Sequence, residues 1–251
     1  MLTPYLTPDW PAPAKVRAAF TLRTDGVSSP PFDSLNVGRH VGDEPEAVDE
    51  NRRRIRRLLA LPGEPAWLEQ VHGKDVADLD SAHVMTRADA SFTRVAGRIC
   101  ALQLADCLPV LLASVDGSVV AAAHCGWRGL ACGVLEATVR ALGVPAGELY
   151  AWLGPAIGPG AFEVGEEVRT AFLIHDARAA DAFTGNSRGR WQCDLFALAR
   201  QRLAAVGVRE VFGGGVCTAS EPARFFSYRR DGRCGRMAAL IWLAGARPGR
   251  S

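Results

Sequence analysis

Three side chains that can bind a metal or attack a carbon stand where buried strands give way to turns. His72 closes the apolar run of WLEQVHGKDV, just before a glycine. Cys107 sits in ADCLPVLL, where Pro109 forbids the α conformation at Leu108 and breaks one apolar stretch into two strands. His124 ends the strand-like VVAAAH and is followed by Cys125-Gly126-Trp127-Arg128-Gly129. Residues at strand ends and turns can be aimed into one cavity by a rigid scaffold. Imidazole nitrogen and thiolate sulfur both ligate zinc, at about 2.0–2.1 Å and 2.3 Å, and two His with one Cys leave the fourth tetrahedral position open. Such an ion polarises a substrate oxygen and brings the pKa of bound water to about 7. Its charge also keeps the cysteine deprotonated.

No local motif of the HExxH or CxxC kind joins the three, so spacing leaves a second chemistry open: Cys107 as nucleophile with His124 as its base. A His₂Cys copper site with Met85 or Met237 as axial ligand is a third arrangement. The zinc deaminase signature HxE…PCxxC, the Walker loop and the GxGxxG fingerprint are absent. No two of the five His lie two residues apart, which rules out the paired His-x-His ligands of a true multicopper oxidase.

The elements that must position these groups alternate along the chain. Asp43 to Ala60 reads as a helix, with Pro45 in its first turn and acids at its positive end. Its run Arg52, Arg53, Arg54, Arg56 and Arg57 could form an RNA-binding face but reads rather as a solvated one, because overall charge is balanced and no aromatics are interleaved with it. ICALQLADCLPVLLAS reads as two strands broken at Asp106 to Pro109, and SVVAAAHCGWRG as a buried strand entering a Gly-punctuated turn. LACGVLEATVRAL continues as one helix with Leu130, Val134, Leu135, Val139 and Leu142 along one side. YAWLGPAIGPG is a strand running into a loop, and Asp194 caps a helix that stops at Gly207. FFSYRRDGRCGRMAALIWL reads as a β-hairpin turning at Asp231 to Gly235. Strands and helices mix throughout, so the class is α/β or α+β with mixed sheets.

Composition sets the bounds. The 251 residues are 48% hydrophobic and 22% charged, which suits a globular protein and excludes disorder. Without linker, repeat or low-complexity tract, residues 1–251 are expected to form a single domain. The formal charge of +2 calls for neither nucleic acid nor membrane as partner. The two Lys, Lys15 and Lys74, provide no Schiff-base cluster. The N-terminus lacks the features of a signal peptide, and no apolar run reaches the roughly 18 residues of a membrane span. Seven Cys without regular spacing suit free thiols in the cytoplasm.

Six segments, SLNVGRHVGDEPEAVDENR, WLEQVHGKDV, ADCLPVLL, HCGWRG, LGPAIGPGAFEVGEEV and FFSYRRDGRCGR, occur in an order that resembles the YfiH, or laccase-domain, family from about Phe20 to Leu243. The resemblance implies that His72, Cys107 and His124 are the catalytic zinc ligands, with copper the ion of the older polyphenol oxidase label. It implies phosphorolysis of adenosine, inosine and S-methyl-5′-thioadenosine, and deamination of adenosine. It also implies a layered α/β/β/α sandwich with mixed sheets. Two departures stand out. Cys125 replaces the Ala of HAGWRG and offers a competing sulfur, and Cys234 replaces the Thr of the usual Thr-Gly-Arg.

Purine nucleosides and phosphate are then the expected partners, met by a monomer or weak homo-oligomer. Phosphate needs guanidinium or backbone N–H donors, and the candidates are Arg23, Arg128 and Arg229. Asn36 is placed on a ribose hydroxyl and His40 at the site's edge. Glu163 and Glu166 are candidate acid–base groups, the GPAIGPG loop a candidate anion cradle, and Trp127 a candidate purine platform. Each also has a plain structural reading as an ion pair, turn or core residue. The competing functions are a metal-independent Cys–His amidase acting on cell-wall precursors, a copper polyphenol oxidase and a non-enzymatic binding factor.

Overall fold

The computed structural model describes residues 4–245; the ends of the expected single domain, 1–3 and 246–251, lie outside them. Its strands and helices in chain order are β1 (Tyr5–Leu6), β2 (Val16–Thr21), α1 (Pro45–Leu58), β3 (Ala66–Trp67), β4 (Val76–Asp78), β5 (Ala90–Thr93), β6 (Ile99–Leu104), β7 (Leu108–Ser114), β8 (Val120–Cys125), α2 (Trp127–Cys132), α3 (Val134–Leu142) and β9 (Leu149–Leu153). They continue with β10 (Glu163–Val164), α4 (Glu166–Leu173), β11 (Phe183–Gly185), β12 (Trp191–Cys193), α5 (Leu195–Ala205), β13 (Glu210–Gly213), α6 (Tyr228–Asp231) and β14 (Met237–Leu243).

Two mixed sheets stack face to face. One runs β1-β2-β14-β6-β3, the other β13-β9-β7-β8-β5-β4, and a small third sheet runs β10-β12-β11. The apolar runs of β7 and β8 are buried along their whole length, as a strand covered on both faces requires. The period of two divides their side chains. Val120 and Ala122 of β8, with Leu111 and Ala113 of β7, meet Phe20, Leu102, Met237 and Ile241 of the first sheet. Ala121, Ala123 and Cys125 face the other way, into the helical layer with Leu135, Leu142 and Leu203. On the outer face of the first sheet, Ala101, Leu240 and Trp242 pack against Ile55 of α1. The order is therefore α1, sheet, sheet, helices, an α+β sandwich.

α1 starts at Pro45 and buries Val48, Asn51 and Ile55, one side of the helix. Its Arg run is neutralised locally: Arg53, Arg54 and Arg57 pair with Glu50, and Arg56 with Glu64. Arg52 turns away from them, donating to the Val37 carbonyl and stacking over Trp67. Asp194 caps α5 by accepting from the Ala197 N–H.

Two expected elements differ. The helix expected over LACGVLEATVRAL is two helices, because Gly133 adopts φ 94° and breaks it; the apolar side still faces inward. The hairpin expected over FFSYRRDGRCGRMAALIWL is instead a short helix, α6, followed by β14, which pairs with the sequence-distant β2 and β6. Ser227 caps α6 through the Arg230 N–H. Asp106 accepts from the Ser227 hydroxyl and the Arg229 N–H, holding the segment out of strand geometry. No helix of the described residues is long and apolar enough to cross a membrane.

Candidate metal centre

His124 lies near the end of β8 on the face turned toward the other sheet, and Cys107 sits in the turn just before the neighbouring strand β7. His72 comes from the loop between β3 and β4. Their ligand atoms all lie within 4.8 Å of one another. His124 is buried, Cys107 half-buried and His72 exposed, so the cluster opens on one side. Among the described residues this is the one group of His, Cys and carboxylates close enough to share an ion. The donor set fits a catalytic zinc site with a vacant position. The space is protected by Gly126, where a Cβ would lie 2.6 Å from His72 Nδ1 and 3.0 Å from Cys107 Sγ.

Two carboxylates hold the cluster. Asp89, fully buried before β5, accepts from His124 Nδ1 at 2.8 Å and from the backbone N–H groups of Val71, His72 and Gly73 at 3.1, 2.9 and 2.6 Å. Asp106 fixes the Cys107 turn, its side chain taking the Thr218 hydroxyl at 2.6 Å and its carbonyl the Ile157 N–H. His72 and Asp106 both have positive φ, 60° and 86°, a region non-glycine residues disfavour.

The charges follow from this packing. Burial disfavours the His124 cation, but the Cys107 sulfur and the Asp89 carboxylate outweigh it and push the imidazole up to about 9. His72 is pushed down by burial and by His124. Burial also works against the Asp89 anion, yet its bonds to His124 and to the Gly73 N–H hold it below the usual carboxylate range.

The cluster opens into a cleft of about 880 Å³, also lined by Arg39, His40, Arg52, Gln70, Gln103 and Arg236. Burial, and then the neighbouring Arg39, push Arg52 down to about 10, while Glu64 and Asp49 work the other way. His40 is lowered by burial and then by Arg236 and Arg52. A second, apolar hollow of about 130 Å³ meets Cys107 and is walled by Trp127, Ile157, Phe162 and Leu195.

Of the residues singled out by sequence, His72, Cys107, His124 and His40 line one cleft. Arg229 lines the apolar hollow, donating to the Glu163 carbonyl and stacking over Phe162. Arg23 lies in a separate depression with Asp33. Asn36 is fully buried and binds Asp43, Gly38 and the Arg236 N–H. Arg128 is exposed, its guanidinium stacked on Trp127. Glu163 is held ionised by Arg188, and Glu166 by Trp191 and Arg169. The GPAIGPG loop places Ile157 in the apolar hollow and its Gly158 N–H on Cys217 Sγ. Sequence reasoning missed Asp89, whose signal is an acid set among the buried Ala88, Ala90 and Phe92. It also left Arg39, Arg52 and Arg236 out of the site: Arg52, expected on a solvated face, lines the cleft instead, and Arg236 follows the Cys234 departure without a role of its own.

The family model described as multi-copper polyphenol oxidoreductase laccase matches residues 17–244. A purine nucleoside phosphorylase of Pseudomonas aeruginosa is 58% identical over 240 residues, 95% of this chain and 98% of that protein. The purine nucleoside phosphorylase YfiH of Escherichia coli is 53% identical over 239 residues, with the same coverage of each. The chain belongs to the YfiH family. A crystal structure of a Neisseria meningitidis protein shares this YfiH-family fold with a TM-score of 0.91 and 49% identity, covering 96% of this chain and 100% of that one. The Cys of HCGWRG, a departure from the YfiH-family pattern, points away from the cluster: Cys125 is buried against the helical layer, one residue out of phase with His124.

Proposed function

We propose that this chain is a metal-dependent purine nucleoside phosphorylase, acting on adenosine, inosine and S-methyl-5′-thioadenosine, and that it also deaminates adenosine. The observation that carries the reading is a His₂Cys cluster opening into a cleft that also presents Arg39, Arg52 and Arg236. A relative more than half identical is named a purine nucleoside phosphorylase. Zinc held by His72, Cys107 and His124 supplies Lewis acidity, and copper is the alternative ion. The three guanidinium groups bind and orient phosphate through charge-assisted hydrogen bonds. A phosphate oxygen attacks ribose C1′ as the bond to the purine nitrogen breaks. His40, kept neutral by its surroundings, offers a hydrogen bond at the same cleft. The apolar hollow suits the methylthio group of the thionucleoside, because a purine lodged there would leave polar edge atoms unpaired. The seven free thiols suit a reducing cytoplasm.

One observation favours a second reading. Cys107, His124 and Asp89 form a thiol–imidazole–carboxylate chain, the arrangement of a cysteine hydrolase that needs no metal. Product analysis separates the two. The purified protein with adenosine and phosphate is expected to yield adenine and ribose 1-phosphate, with inosine from deamination. Chelation is expected to abolish both reactions and zinc to restore them. Adenine release that ignores phosphate would refute the phosphorylase reading, and full activity in metal-free protein would refute its metal dependence.

A further inference from the structure

We infer that Asp89 is the positioning residue that assembles the metal centre, fixing both histidine ligands at once by different means. The inference rests on the metal reading above. For His124, Asp89 acts on the ring: Nδ1 lies 2.8 Å from the carboxylate, so that nitrogen is held as a donor and Nε2 is the one left to face an ion. For His72, it acts on the backbone. The N–H groups of Val71, His72 and Gly73 converge on the two carboxylate oxygens. They form a small anion-binding nest, which holds His72 at φ 60°, outside the region it would otherwise choose. Asp89 is itself fixed, donating its N–H to the Asp75 carbonyl and accepting the His124 N–H at 2.7 Å. One buried side chain thus ties the loop carrying one ligand to the strand carrying the other.

The residue type is what this task requires. An ionised carboxylate accepts at about four lone-pair sites and donates none, which matches four converging donors. Asparagine of the same shape offers one accepting oxygen, and its amide N–H groups would face backbone N–H groups. Asp89→Asn should therefore keep the packing volume and lose the arrangement. Pairing with a carboxylate also raises the basicity of a ligating imidazole.

The experiment measures zinc affinity by competition with a chromophoric chelator, for wild type and Asp89→Asn, alongside folding by circular dichroism. Expected is one zinc per wild-type chain and about a 10–100-fold weaker affinity in the folded variant, the usual effect of losing such a partner. Equal affinities in two folded proteins would overturn the role of Asp89 and leave the metal reading standing. A wild type that takes up no zinc would overturn both. Nitrogen-15 NMR of histidine-labelled wild type decides even if the variant does not fold. His124 should keep its proton on Nδ1 while zinc shifts Nε2, and zinc on Nδ1 would overturn the proposal.

Discussion

Cys125 and Gly126 are adjacent, yet their consequences for the cluster are opposite. Cys125 is turned to the helical core by the alternation of β8, so Cys125→Ala should retain one zinc per chain. Gly126→Ala places a methyl group 2.6 Å from His72 Nδ1 and 3.0 Å from Cys107 Sγ, so it should lose zinc while remaining folded. Elemental analysis of both purified variants checks the pair; zinc lost from Cys125→Ala would mean its sulfur is a ligand. The same contrast shows how far residues alone can be read. His72, Cys107 and His124 stand out because each ends or breaks an apolar run with a metal-binding atom, but it is the family resemblance that implies they act as one ligand set. Asp89 was not, since the donors it collects arrive from residues 71–73 and 124 only once β5 pairs with β8. Arg52 was hidden differently. Four of its Arg neighbours on α1 are spent on Glu50 and Glu64, and only the folded helix shows which one faces the cleft.

Elements were readable wherever local pattern and packing agree. The start of α1 at Pro45, the two strands either side of Cys107 and the Asp194 cap of α5 all follow from chemistry within a few residues. The errors arose where distant partners decide. A hairpin over 225–243 is locally consistent, but β14 is claimed on both sides by β2 and β6, and Asp106 draws Ser227 and Arg229 into a helical turn. The single helix expected over LACGVLEATVRAL runs through Gly133, whereas this glycine is the left-handed link between α2 and α3. A Cβ there would meet no atom closer than 3.4 Å, so the penalty of substitution is conformational. Gly133→Ala is expected to destabilise the fold by about 1–2 kcal/mol, the left-handed penalty of an L-residue. Urea unfolding measures it, and unchanged nucleoside turnover in the folded state is expected, because α2 and α3 pack on the helical side of β8. A stability equal to wild type would mean that the link relaxes out of the left-handed region.

The two sheets place strand ends from distant parts of the chain around one opening, and the cluster lies across that junction. His72 lies in the loop that passes from β3 of the first sheet to β4 of the second, Cys107 in the turn that passes from β6 to β7, and His124 on β8, so an ion bound by all three pins two sheet-to-sheet connections to one strand. None of that geometry survives in an extended chain, so binding energy becomes folding energy. At free zinc about 100 times the dissociation constant, the folded state gains about 2.7 kcal/mol. For a chain of this size that raises the melting temperature by about 5–10 °C. Chelator should remove the increment and added zinc restore it. His124→Ala should show the lower melting temperature with and without zinc, since its cluster keeps only two ligands. Calorimetric scans of the two proteins, each with chelator and with zinc, give four melting temperatures. If wild type gains nothing from zinc, or His124→Ala gains as much as wild type, the ion is not held by these three residues.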